Sequence, residues 1–225
     1  MAIDPQVTSR DSIDALPLVH DLVRLRTAQV TAGCISEPSW VKASLERSPW
    51  VVVRRALAPE GLIAIGVRGK QRHERWGGFV PLEQIAERAA LCDLRTSTIS
   101  SGRASLPAMQ ALRGVEEQLS QLALEWGPGG SVGYEIATGH FTATENSDLD
   151  LIIRAPARLE LAFASDLLAI INAAPAQVDP RVETPSCGFS LQEYCRNGGR
   201  KILVRTPCGS AWSDDPWRRI DQATR

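Results

Sequence analysis

Aliphatic and β-branched residues gather in short runs along this chain, and the spacing within each run predicts an element. Val51-Val52-Val53 and Leu62-Ile63-Ala64-Ile65-Gly66-Val67 flank the turn signal Pro59-Glu60-Gly61, which predicts a β-hairpin. Behind Pro81, the residues Leu82, Ile85, Ala86 and Ala89 recur at helical spacing; proline suits a first helical turn, so a short helix is expected. A longer helix is expected from Pro107 through Met109, Leu112, Val115, Leu119, Leu122 and Ala123, with Gly127-Pro128-Gly129-Gly130 as its stop. The pattern then alternates: a short helix from about Ser131, a strand over 149–153, a helix over 159–171, a strand over 178–182, a short helix around Leu191 and a strand over 202–204.

Such alternation implies a mixed sheet flanked by helices. Between the two patterned halves, residues 93–106 are rich in Ser and Thr and poor in large apolar side chains, a linker composition. The expectation is an α+β protein in two parts: a smaller N-terminal α/β domain over 1–92, the linker over 93–106, and a C-terminal domain over 107–225 with a mixed sheet flanked by helices. With 225 residues in all, either part can bury a core.

Charge and cysteine usage then exclude several classes. A net charge of -1 argues against a broad nucleic-acid surface, and no apolar run is long enough to span a membrane. The five cysteines are scattered and lack zinc-site spacing, which reads as reduced thiols. Residues 1–10 carry no secretory or lipid-anchor pattern, so the cytoplasm is the expected compartment.

The chemistry concentrates in Asp148-Leu149-Asp150-Leu151. Strand geometry puts Asp148 and Asp150 on one face while Leu149 and Leu151 turn to the core. Two carboxylates so placed repel each other unless a cation sits between them, and magnesium suits hard oxygens while leaving positions for phosphate. Upstream, Gly127-Pro128-Gly129-Gly130-Ser131 is suited to a turn whose backbone N–H groups and following helix N-terminus cradle a phosphate, with the Ser131 hydroxyl as a further donor. A third acid is expected from Asp179 or Glu183, which share a strand face; Pro180 suggests an edge or bent strand there. An Asp-x-Asp alone is more often a solvated turn, and a Gly-rich loop is more often a helix stop. Their ordered combination within one small α/β segment favours catalysis.

Gly66-Val67-Arg68-Gly69-Lys70-Gln71-Arg72 sets basic side chains at a hairpin end, which suits a polyphosphate if it is more than a solvated turn. His20, His73 and His140 stand far apart in sequence and are expected to be surface or capping residues. The six tryptophans are expected to serve packing.

Gly130-Ser131 followed by Asp148-Leu149-Asp150 resembles the polymerase β-like nucleotidyltransferase superfamily. A narrower likeness runs from His20-Asp21-Leu22 through Val53-Arg54-Arg55-Ala56, Gly66-Val67-Arg68-Gly69, Gln71-Arg72, Trp126-Gly127, the stretch 130–139, Ser147 to Leu151 and Val182-Glu183-Thr184 to Asp215-Pro216-Trp217. Together these are similar to the phosphoribosyl-dephospho-CoA transferase family, the holo-acyl-carrier-protein synthases of malonate decarboxylase. The resemblance implies a nucleotidyltransferase-like C-terminal domain and a reaction. That reaction moves the prosthetic group from 2'-(5''-triphosphoribosyl)-3'-dephospho-CoA to a serine of the apo acyl carrier protein of malonate decarboxylase and releases diphosphate. Asp148 and Asp150 would be the catalytic, magnesium-holding acids, with Gly130, Ser131, Arg68 and Arg72 binding substrate. The alternatives are a nucleotidyltransferase that places an ordinary nucleotide on another acceptor, and a catalytically silent module that only binds the carrier.

Overall fold

The computed structural model describes residues 16–33, 35–71 and 73–218. It is an α+β protein built on two six-stranded sheets, one from each half of the chain. The first sheet comprises β1 (Leu22–Leu25), β2 (Thr31–Ala32), β3 (Trp50–Val53), β4 (Leu62–Arg68), β5 (Arg75–Pro81) and β6 (Ile85–Ala89), ordered β2-β5-β4-β3-β1-β6. Residues alternate across it. Val51, Val53, Ile65 and Val67 turn to one face and pack with Val41 and Leu45 of α1 (Ser39–Arg47) in a dry core. The expected hairpin is present, with Val52 opposite Gly66 and Val53 opposite Ile65.

The helix expected behind Pro81 is not. Pro81 ends β5, residues Leu82–Gln84 make one 3-10 turn, and β6 follows, antiparallel to β1 with Leu22 opposite Ala89. Of the apolar set read as a helix face, Ile85 is buried while Leu82 is 44% exposed, so no continuous helical stripe is covered. The open edge of β1 instead supplies backbone partners to the segment, and a strand satisfies both.

The second half contains α2 (Pro107–Leu119), β7 (Glu125–Pro128), α3 (Gly130–Thr138), β8 (Leu149–Arg154), α4 (Leu161–Asn172), β9 (Val178–Glu183), β10 (Gly188–Ser190), α5 (Leu191–Arg196), β11 (Ile202–Thr206) and β12 (Gly209–Ser213). Its sheet runs β12-β11-β10-β9-β8-β7. Only β8 and β9 are parallel, and α4 makes the crossover that parallel neighbours require. The faces of α2 and α4 bearing Leu112, Val115, Leu167 and Ile171 cover Leu149, Leu151 and Ile153.

The Gly-Pro-Gly-Gly run at 127–130 does not stop a helix: α2 ends at Leu119, and β7 pairs with β8, Trp126 opposite Ile153 and Gly127 opposite Ile152. Gly127 is needed for close approach, because a Cβ there would overlap the carbonyl oxygen of Leu91. Pro180 is buried in an interior strand rather than an edge. It is tolerated because the β10 ladder stops at Ser190 opposite Arg181, leaving no partner on that side of residue 180.

The segment between the sheets is tied down. It makes three short 3-10 turns, Arg95 lies over the Trp126 ring, and Arg103 forms a two-pronged pair with Glu135 at 2.8 and 3.1 Å. The two halves are also joined through Asp21, which is wholly buried. It accepts from Arg88 Nε (2.7 Å), Arg154 Nη2 (2.7 Å) and the backbone N–H groups of Leu91 (3.1 Å) and Leu18 (2.8 Å). Four donors satisfy a carboxylate that would otherwise be costly to bury. No helix among the described residues is long and apolar enough to cross a membrane.

Candidate active site

In β8 the side chains alternate as expected: Leu149 and Leu151 are fully buried, and Asp150 turns to the opposite face. Parallel register sets Asp150 beside Asp179 and Ile152 beside Arg181 on β9. Burial pushes the Asp150 carboxyl above the usual carboxylate range; Asp148 and Asp179 add to the rise, while Arg181 and His20 oppose it. Asp148 lies one residue before β8, so its side chain is not set by the strand's alternation. Asp179 is held by Arg181 at 2.7 Å. Among the described residues no three His, Cys, Asp or Glu side chains form a ready metal cage.

Glu183 has a different role from Asp179. Its carboxylate accepts from Arg55 at 2.5 and 3.1 Å and meets His20 Nε2 at 2.8 Å, so both partners come from the N-terminal half. Burial pushes its carboxyl upward, but the His20 and Arg55 contacts outweigh that and hold it below the ordinary value. His20 is therefore not a simple surface residue: it bridges the halves beside the acidic cluster. Their separation of 163 positions hid this in the sequence.

The Gly-rich segment lies against the acids. Gly130 adopts φ 56°, and a Cβ on it would overlap Oδ2 of Asp150. Only glycine permits this turn and this contact together. The segment feeds directly into α3, whose opening N–H groups have no partner within the helix.

A cleft of about 640 Å³ separates the Gly-rich segment from the first sheet. Its C-terminal wall is Pro128, Gly129, Gly130, Gly133 and Tyr134; Ser131 is half-buried and is not part of that wall. Its other wall is the face of the first sheet turned away from α1. There a single cross-strand row runs Leu22, Val52, Gly66, Gly77, each opposite the next. Arg68 and Arg75 stand opposite each other one step along the hairpin, and Arg54 also lines the cleft. The structure thus brings Arg68 and Gly130 to one cavity. Arg72 lies outside the described residues. Asp148 borders a second recess of about 250 Å³, with Glu145, Ser147 and Gln177.

A glycine turn packed against Asp150 borders a cleft with arginines on its far wall, and comparison with known proteins supplies the class: a transferase. The chain belongs to the phosphoribosyl-dephospho-CoA transferase family, its residues 18–90 matching the phosphoribosyl-dephospho-CoA transferase MdcG N-terminal domain and residues 90–216 the C-terminal domain. It is 37% identical over 211 residues to the phosphoribosyl-dephospho-CoA transferase of Pseudomonas fluorescens (strain Pf0-1), covering 92% of this chain and 98% of that one. Those of Pseudomonas putida (36% over 207 residues, 92% and 98% covered) and Azotobacter vinelandii (34% over 210 residues, 91% and 96% covered) are similar to it as well. No solved structure matches.

Proposed function

We propose that the protein transfers the phosphoribosyl-dephospho-CoA group from 2'-(5''-triphosphoribosyl)-3'-dephospho-CoA to a serine of an apo acyl carrier protein, that of malonate decarboxylase, with release of diphosphate. The observation that carries this reading is the placement of Asp150 directly against Gly130, at the edge of a cleft with arginines on its opposite wall. The serine oxygen would attack the phosphorus attached to the ribose 5''-oxygen. One P–O bond forms, the bridging P–O bond to the diphosphate breaks, and the serine proton is lost.

Asp148 and Asp150 fit a divalent cation. Burial together with Asp148 and Asp179 disfavours the Asp150 charge more than Arg181 and His20 favour it, and a cation relieves that. Magnesium commonly uses only one or two protein carboxylates, with substrate phosphates and water completing its shell, so a ready three-residue cage is not required. When bound, it would supply charge neutralisation for the entering and leaving oxygens. Asp179 is the better third acid, because it neighbours Asp150 while Glu183 is committed to His20 and Arg55. The start of α3, with Gly130 and Ser131, would hold the departing diphosphate, and Arg68 would add charge from the other wall. Four free thiols among the described residues, Cys92, Cys187, Cys195 and Cys208, suit a reducing cytoplasm.

A direct test offers the purified protein the triphosphate donor or ATP together with apo carrier, and follows diphosphate release. Release with the dephospho-CoA donor alone supports the reading. Preference for ATP points to an ordinary nucleotidyltransferase, and no release with either points to a silent binding module.

A further inference from the structure

The donor side of the cleft contains a feature that the motifs do not announce. Gly66 and Gly77 face each other across β4 and β5, and the Arg54 side chain is laid over both. A Cβ on Gly66 would sit 2.9 Å from Arg54 Cδ, and one on Gly77 would overlap its guanidinium. Neither glycine has the positive φ that would explain it by backbone conformation. What the pair provides is a flat, two-residue floor. Arg54 extends from the end of β3, beyond Val52 and Val53, on the same face as the Leu22–Val52–Gly66–Gly77 row. Its neighbour Arg55 points elsewhere and is neutralised by Glu183.

The consequence is a charge held in one place. An arginine on an ordinary strand face samples many rotamers, and fixing it on binding costs conformational entropy. The Arg54 side chain crosses both glycines with its guanidinium at Gly77, and among the described residues no carboxylate pairs with it. Arg68 and Arg75 occupy the next cross-strand position on the same face. Planar guanidinium groups in this arrangement match the oxygens of a diphosphate.

We infer that Arg54, seated on Gly66 and Gly77, forms with Arg68 and Arg75 a subsite for the 5'-diphosphate of an adenine nucleotide. This rests on the proposed function, because a dephospho-CoA donor carries two anionic groups. Its triphosphate belongs at Gly130 and Asp150, so its internal diphosphate falls to the opposite wall. Leu22, Val52 and Phe79 around the arginines give apolar surface to the uncharged parts of the same ligand. Gly66 and Gly77 act as positioning residues and Arg54 as the ligand-binding one.

Dephospho-CoA is the probe, since it keeps the internal diphosphate and lacks the triphosphate. Calorimetry would compare the full-length wild type with Arg54→Ala, Gly77→Ala and the double variant, each checked by melting temperature. Both single variants should bind about tenfold or more weakly, the loss expected for a charge-assisted contact. Gly77→Ala should cost nothing further once Arg54 is gone, because the methyl group acts only by displacing that side chain. Additive losses, or unchanged binding by a folded Arg54→Ala protein, would overturn the seat. If the wild type binds no dephospho-CoA, the cleft is not the donor site, and the proposed function fails together with the inference. If wild-type binding is normal and only the coupling is missing, the inference alone fails.

Discussion

Asp150 and Asp179 stand opposite each other in the parallel register of β8 and β9, while Glu183, four residues further along β9, is bound by His20 and Arg55 of the other half. One strand thus carries an acid beside Asp150 and an acid at the junction. The two differ in what a neutral amide should do to them. Asp179→Asn should keep the melting temperature within a few degrees and lower the rate of transfer at least about tenfold. Glu183→Gln should lower the melting temperature by several degrees, since it weakens the hold on half-buried Arg55 at the junction. Paired melting and initial-rate measurements check this, and a stability loss confined to Asp179→Asn would reverse the assignment.

Gly130→Ala tests the contact between the turn and the acid. The added methyl group meets Asp150 Oδ2 and sits at φ 56°, so both the turn and the carboxylate must shift. A destabilisation of roughly 1 kcal/mol is expected from the backbone strain. Transfer should fall about a hundredfold or more, since small displacements of catalytic groups are costly. Chemical denaturation and single-turnover rates separate the two effects.

The buried Asp21 hub should dominate stability at the junction. Removing its carboxylate takes their shared partner from buried Arg154 and half-buried Arg88. Asp21→Ala should therefore cost about 3–5 kcal/mol in urea unfolding, the range for breaking a buried ion pair. A change below about 1 kcal/mol would contradict the hub.

Glu135 supplies the pH dependence. Burial alone would raise its carboxyl, but the hydrogen bond from Arg103, the N–H groups of Ala143 and Thr142, and the Arg103 charge together hold it below the ordinary value. A carboxyl lowered on folding contributes stability above its unfolded pKa and loses it as pH falls through its folded one. The stability gap between wild type and Glu135→Gln should thus be full near neutrality and shrink steadily in acid below the usual carboxylate range. Unfolding curves over that span check the sign; a gap that widens in acid would contradict it.

Local signals in the sequence were enough for the hairpin at Val52 and Gly66, the helices α2, α3 and α4, and the opposite facing of Asp150 and Leu149, because period and turn chemistry act over a few residues. They failed where a distant partner decides. The segment behind Pro81 has helical spacing but becomes β6 because β1 offers an open edge. The strand β7 hides in a run of glycine and proline that only its pairing with β8 explains. In the same way the acids and the Gly130 turn were visible from spacing. The bridge from His20 to Glu183 and the Arg54 seat were not, because each joins residues from separate strands or halves.

The central claim is that Asp148 and Asp150 act through charge to drive transfer onto a carrier serine. Asp→Asn at either position nearly preserves shape, and at Asp150 it removes repulsion, so folding should survive and the melting temperature should hold or rise slightly. The decisive measurement is the intact mass of apo carrier protein after incubation with the triphosphate donor, magnesium and wild type, Asp148→Asn or Asp150→Asn. The wild type should add the mass of one phosphoribosyl-dephospho-CoA group to a serine and lose that activity in excess chelator. Each folded variant should leave the carrier at least about a thousandfold more slowly modified. Near-normal modification by either folded variant, or full wild-type activity in chelator, would contradict the account.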